Sequence, residues 1–274
     1  MNTTHASAVS PGLSDVPNES DVVGAAGERS ALAWAHTARF LTTASQLRQL
    51  PLHGLPEIAF VGRSNAGKST AINTIGQQRQ LAFASRKPGR TQHINLFRLG
   101  PDEDADPVPG LPRAVWADLP GYGYAAVERS AKLRWQKVMA DYLEGREGLT
   151  GIVQMVDSRH GFTPLDRQLL DFIGHRVLSG QVRLLVLLTK SDKLTRQESA
   201  LSLRKARELL GEWATEEADI GVALFSSLQR RGVTEAAETL REWCLAAPVL
   251  PLPDAGSEGP HGGNSESPEL QEQP

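Results

Sequence analysis

Cysteine is almost missing from this chain of 274 residues, in which Cys244 stands alone. A lone thiol excludes an intrachain disulfide and suits a reducing compartment. Long apolar runs are missing as well. The longest, LLVLL at 184–188, falls far short of the roughly 20 apolar residues that a membrane-spanning helix needs. Residues 1–20 lack the basic start and apolar stretch of a secretory leader, and the terminal ELQEQP carries no prenylation box. No internal repeat is present. The seven histidines are scattered without the spacing of a metal site. The expectation is a cytoplasmic, monomeric protein without a membrane partner.

Bases are absent from both ends. Residues 1–28 hold four acids and no Lys or Arg, and residues 247–274 hold five acids and again no base. The middle then keeps 23 acids against 29 bases, a surplus of six positive charges beneath an overall net charge of −3. Both ends are rich in Pro, Gly and Ser and poor in large apolar residues. They bury too little surface to offset chain entropy and read as disordered acidic tails. Residues 29–246 read as one domain.

Along that domain apolar strands alternate with amphipathic helices. EIAFVG (57–62), HINLFRLG (93–100), AVWADLP (114–120), GIVQMVD (151–157), VRLLVLLT (182–189) and 220–226 read as strands. Helices are expected from Lys68 and over 130–146, 163–178, 196–213 and 234–245, with Thr163 as N-cap and Pro164 at the first helical position. GPDEDADPVPG, between the second and third strands, reads as an exposed loop. The alternation argues for an open α/β sheet with helices on both faces. Trp34, Trp116, Trp135, Trp213 and Trp243 read as core or helix-packing residues, and Cys244 as core rather than nucleophile.

VGRSNAGKST (61–70) fits G-x-x-x-x-G-K-[ST], placed where the mechanism needs it, after a buried strand and at the start of a helix. Its backbone N–H groups and the helix N-terminus would face nucleotide phosphates. Lys68 would reach the β- and γ-phosphates, and the Ser69 hydroxyl would bind Mg²⁺. DLPGYG (118–123) ends a strand with an Asp and x-x-Gly, suited to a Mg²⁺-linked carboxylate and to the Gly121 N–H facing a γ-phosphate. D-x-x-G is also ordinary turn chemistry. In TKSD (189–192), Asp192 can accept two parallel hydrogen bonds from N1–H and the N2 amino group of guanine, which adenine cannot supply. The Lys190 stem can lie along the base plane. The other reading of Asp192 is a cap for the helix that starts near 196. FSS (225–227) ends the last strand with residues small enough for a backbone N–H to approach the guanine carbonyl.

P-loop, D-x-x-G, T-K-x-D and a terminal Ser-Ser, in this order, resemble the translation-factor class of P-loop GTPases. FLTTASQLRQLP, EIAFVGRSNAGKS, KPGRTQHINLF, DLPGYGYA, LLTKSDKL and FSSLQRRGV more closely resemble the EngB (YihA/YsxC) bacterial GTPases, from about Phe40 to Trp243. That resemblance implies a Ras-like three-layer α/β fold with a six-stranded, mostly parallel sheet, one strand being antiparallel. It implies that Gly62, Arg63, Ser64, Asn65, Ala66, Gly67, Lys68 and Ser69 cradle GTP or GDP. Gly89, Arg90, Thr91, Gln92 and His93 would form a first switch, with Thr91 beside Ser69 on Mg²⁺. Asp118, Leu119, Pro120 and Gly121 would open the second, and Thr189, Lys190, Ser191, Asp192, Phe225, Ser226 and Ser227 would hold the base. The implied role is assembly of the large ribosomal subunit, with normal division and septation. Ala66 stands where valine is common, and the loop at 100–113 is long.

The glutamine that orients water in many GTPases is replaced by Tyr122, so intrinsic hydrolysis is expected to be slow. Asn65 resembles the Asn of K⁺-assisted GTPases, which with Lys68, Thr91 and Gly121 would form the catalytic set; it equally fits a loop-stabilising hydrogen bond. The basic body supports a ribosomal RNA or pre-ribosomal partner. A GTPase acting through a protein at the division site, and an ATP-using kinase that Asp192 opposes, are the alternatives.

Overall fold

EIAFVG forms the strand β2 (Glu57–Gly62), buried at all six positions. Alternate side chains serve opposite layers, Ile58 and Phe60 one core and Ala59 and Val61 the other. A strand covered on both faces has no polar side, which is why it reads as a continuous apolar run. A computed structural model describes residues 30–83, 93–102, 104–123, 129–248 and 250–251, with the backbone alone for 129–136. Gly89, Arg90, Thr91, Gln92, residues 1–28, most of 247–274 and the Trp135 side chain lie outside the described residues.

The strands are β1 (Arg39–Ala44), β2, β3 (Ile94–Leu99), β4 (Ala114–Asp118), β5 (Leu149–Asp157), β6 (Arg183–Thr189) and β7 (Ile220–Leu224). They lie in the order β1-β3-β4-β2-β5-β6-β7. All neighbours pair in parallel except β3, which is antiparallel to both β1 and β4. The helices are α1 over 30–36, α2 (Lys68–Ile75), α3 (Arg129–Gly145), α4 (Pro164–Leu178), α5 (Arg196–Gly211) and α6 (Val233–Ala246). Helices α1, α2 and α6 pack in one core and α3, α4 and α5 in the other.

The sheet has seven strands where six are expected from the sequence. The extra one, RFLTTA, lies at an edge, and only Ala44 of its six residues is fully buried. Backbone pairing to β3 holds it, and this leaves no apolar period to read. The helix α1 ahead of it docks through Trp34, whose ring meets Trp116 edge-to-face at 5.9 Å while Nε1 donates to the Pro112 carbonyl at 2.8 Å. Such an aromatic pair adds about 0.5–1.5 kcal/mol beyond the area it buries. Trp34, Trp116, Trp243 and Cys244 are buried, as expected, and burial pushes the Cys244 thiol well up.

Past residue 246, the Leu250 N–H donates to the Gly54 carbonyl at 3.3 Å. The loop over 100–113 is largely exposed, as its composition requires.

Candidate nucleotide-binding site

Every motif picked from the sequence and described by the structure sits at the C-terminal edge of the sheet, where open α/β folds bind ligands. The chain leaves β2 at Gly62, turns through Asn65 (φ 64°) and Gly67 (φ 96°), and enters α2 at Lys68. Gly67 takes the left-handed conformation at the N-cap, which costs a glycine little. The Ala66 carbonyl accepts from Thr189 Oγ1 at 2.6 Å, which ties the loop to the end of β6. Lys190, itself left-handed with φ 58°, lays its ammonium across the loop. Its Nζ donates to the Asn65 carbonyl at 2.6 Å and to Asp157 Oδ2 at 2.9 Å. Phosphate loop and T-K-S-D segment are thus one structure.

Asp157 was not expected from the sequence. It ends β5 at the same edge and is held by Lys190 and by both Nε and Nη2 of Arg159. Burial alone would raise its carboxyl; the hydrogen bonds from Arg159 and Lys190 overcome this and hold it well below the carboxylate range. The available signal was positional, since DSRHG follows a buried parallel strand as the other motifs do. Arg63, Ser64, Asn65, Asp157, Arg159 and His160 line a pocket of about 190 Å³ beside the loop.

Lys68 is buried and its ammonium pairs with the Asp118 carboxylate at the end of β4. The motif's Asp and Lys are therefore in contact, and Asp118 is no surface turn residue. Ser69 follows in the first turn of α2, half-buried and without a hydrogen bond from its hydroxyl among the described residues. The Asn65 amide is exposed and likewise makes none among the described residues. Among the described residues no cluster of three or more His, Cys, Asp or Glu side chains stands ready for a metal.

The DLPGYG segment begins under tight constraint. Ser64 N–H donates to the Tyr122 carbonyl at 2.9 Å and Tyr122 N–H to the Gly62 carbonyl at 3.3 Å. A Cβ on Gly121 would lie 3.3 Å from the Ser64 nitrogen, so a side chain there would press on the phosphate loop. Leu119 is buried, and its N–H donates to the Phe60 carbonyl at 3.1 Å; Pro120 is buried beside it. Tyr122 turns inward. Its ring is buried and its hydroxyl donates to Asp166 Oδ1 at 2.7 Å, while Gln154 Nε2 donates to that hydroxyl at 3.3 Å. Burial, then the charge and hydrogen bond of Asp166, push the phenol well above its usual range. Asp166 Oδ2 also accepts from the N–H and hydroxyl of Thr163, the N-cap of α4, at 2.8 and 2.6 Å. One carboxylate therefore caps a helix and anchors Tyr122 of the DLPGYG segment.

Asp192 is not a helix cap. Thr195 caps α5, accepting from Glu198 N–H at 3.2 Å while the Glu198 carboxylate takes the Thr195 N–H at 2.8 Å. Asp192 lies in the short turn Ser191–Lys193 and accepts from Ser226 Oγ at 2.7 Å. That bond, against a smaller opposing effect of burial, lowers its carboxyl from the usual value. Ser191 donates its N–H and hydroxyl to the Phe225 carbonyl, both at 3.1 Å. The Ser226 N–H is committed to the Arg231 carbonyl, and the Ser227 N–H makes no hydrogen bond among the described residues. A carboxylate steadied by a hydroxyl, with a free backbone donor beside it, matches the acceptor and donor that guanine's N1/N2 and O6 edge requires. His93 immediately precedes β3, and its Nδ1 lies 2.8 Å from Ser45 Oγ.

Known proteins agree with this geometry. Residues 57–190 match the family described as 50S ribosome-binding GTPase. A probable GTP-binding protein EngB of Albidiferax ferrireducens is 57% identical over 219 residues, 79% of this chain and 98% of that one. Another probable EngB, from Acidovorax ebreus, is 58% identical over 212 residues, 77% of this chain and 90% of its own. In three dimensions a variant of Aquifex aeolicus Era bound to GDP·AlF4⁻ shares the fold, with a TM-score of 0.54 and 20% identity over 73% of this chain and 62% of Era. High identity along nearly the whole length of these relatives, with the phosphate loop and T-K-S-D joined as described, places the chain in the EngB family of GTP-binding proteins.

Proposed function

We propose that this GTPase is a Mg²⁺-dependent switch of low intrinsic turnover that serves assembly of the large ribosomal subunit, and through it normal division and septation. The observation that supports nucleotide control is the junction at Lys190, which joins phosphate loop, Asp157 and guanine-side segment. The ribosomal reading is supported by the matching family's description and by the surplus of six bases between two acidic ends. The protein acts as a monomer in the cytoplasm, with ribosomal RNA or a pre-ribosomal large subunit as its partner.

The residues fit a hard divalent cation. Ser69 offers a hydroxyl that is uncommitted among the described residues at a helix start, and Asp118 a carboxylate at the end of β4. Thr91 would add a second hydroxyl. Mg²⁺ held there would neutralise charge on the β- and γ-phosphates. The chain's own groups do the remainder. The N–H groups of 63–68 and the positive end of α2 bind phosphate. Lys68, shared between Asp118 and the phosphates, supplies a point charge, and Gly121 presents its N–H from a backbone fixed against Ser64. Tyr122, aimed into the interior, positions no water. Asn65 is free to offer its amide oxygen to K⁺, which would supply charge between the β- and γ-phosphates; otherwise the partner supplies it.

Two measurements test the proposal. Binding of GTP, GDP and ATP to the isolated protein checks the nucleotide, with guanine preference and a Mg²⁺ requirement that Ser69→Ala weakens as the expected result. Sedimentation with large-subunit precursors in GTP analogue, at rising salt, checks the partner. Salt-sensitive comigration is expected. Guanine binding without comigration would remove the ribosomal role and leave a protein partner at the division site.

A further inference from the structure

A second cavity lies apart from the nucleotide site. A groove of about 1050 Å³ runs at the opposite end of the sheet, between α3 and the segment joining β1 to β2. Leu47, Leu50, Leu52 and Leu55 form one wall and Val138 the other. Its floor is a buried polar cluster. Glu57 accepts from Arg146 Nε at 2.6 Å and from the Tyr142 hydroxyl, and His53 Nε2 lies 3.3 Å from the same carboxylate. These groups satisfy one another and anchor the C-terminal end of α3, so the floor asks for no charged ligand. Leu52, 67% exposed, asks for an apolar one.

The chain itself enters this groove. Leu250 and Pro251 line it, and the Leu250 N–H is bonded to the Gly54 carbonyl. The sequence there is PVLPLPD, with Pro248, Pro251 and Pro253 interleaved with Val249, Leu250 and Leu252, and acids follow at Asp254 and Glu258. Such a segment favours the polyproline conformation, which lowers the entropy lost on docking and suits it to apolar grooves. At about 3.1 Å per residue, residues 252–254 add about 9 Å of reach beyond Pro251. Arg48 and the largely exposed Lys137, which pairs with Asp141 at 3.2 Å, stand on the rim where the acids would emerge.

We propose that residues 250–254 are an intramolecular strap, seated between α3 and the 45–55 segment, with Leu252 covering the leucine wall. Helix α3 is the helix that follows the DLPGYG segment in the chain, so the strap braces its C-terminal end. It adds a contact that the GTPase reading does not require and does not depend on the ribosomal proposal.

Hydrogen exchange on the full-length chain tests it. Leu252→Asp and Leu250→Asp should each raise exchange rates at least fivefold across 45–55 and 137–148, while GTP affinity stays within twofold, which certifies the fold. A protein ending at Glu258 should exchange like the full chain. Unchanged exchange in both substituted proteins overturns the strap. Protection that appears only at concentrations where sedimentation shows a dimer also overturns it, and assigns the groove to the segment of a second copy.

Discussion

Removing a single hydroxyl separates the two roles open to Tyr122. In many GTPases the residue after D-x-x-G positions the attacking water; here its hydroxyl is spent 2.7 Å from Asp166 Oδ1 inside the domain. Tyr122→Phe keeps the ring and deletes that bond, leaving Asp166 with its two Thr163 donors and one oxygen short of a partner. Gln154 Nε2 loses an acceptor too but keeps the Asp166 carbonyl at 3.2 Å. A buried hydrogen bond to a carboxylate is worth about 1.5–3 kcal/mol. At about 2–4 °C per kcal/mol for a domain of this size, a loss near 2 kcal/mol lowers the melting temperature by about 4–8 °C. Scanning calorimetry measures that, and phosphate release measures turnover, which should stay within about twofold once the protein is folded. Tyr122→Gln should not accelerate turnover, because the side chain faces the core. A tenfold loss of turnover in Tyr122→Phe with an unchanged melting temperature would refute the reasoning and return the hydroxyl to the reaction.

Asp192→Asn should weaken GTP and partly recover xanthosine triphosphate binding, since the amide offers a donor where guanine's N2 amino group needs an acceptor; an unaltered preference in a competition assay would remove Asp192 from base recognition. Turnover by the isolated protein should rise in K⁺ over Na⁺ at equal ionic strength, with Asn65→Ala abolishing the difference; equal rates in both salts, with stimulation only by ribosomal particles, assign the charge to the partner. His53 makes a pH prediction. Burial, aided by the Arg146 charge, lowers its pKa to about 4, so below the unfolded value near 6.5 the unfolded chain binds a proton that the folded one refuses. Stability from this group is present above about pH 6.5 and is lost as pH falls toward 4, by at most about 3 kcal/mol. Glu57, whose carboxyl burial raises, works in the opposite sense but is common to wild type and His53→Gln. The melting temperature should therefore fall more for wild type than for His53→Gln between pH 7 and 5; parallel curves would show that His53 does not titrate as described.

What the sequence determined alone was everything carried by local pattern. The buried parallel strands are legible because both of their faces are apolar, as in β2 and β6, where all but Arg183 are fully buried. Thr163-Pro164 declares the start of α4, and Gly62 to Ser69 declares a phosphate loop, because each is a short backbone conformation with its own residue requirements. The tertiary structure decided what depends on residues far apart in the chain. It turned Tyr122 inward onto Asp166, 44 positions away, and gave the cap of α5 to Thr195, which removes the alternative reading of Asp192 and leaves its carboxylate for Ser226. It brought Asp157 under Lys190 and added β1, an edge strand held by its neighbour's backbone rather than by any apolar period of its own. A side chain's direction and partner follow from which layer its element packs against, and that choice is made by the whole sheet rather than by the neighbours in sequence.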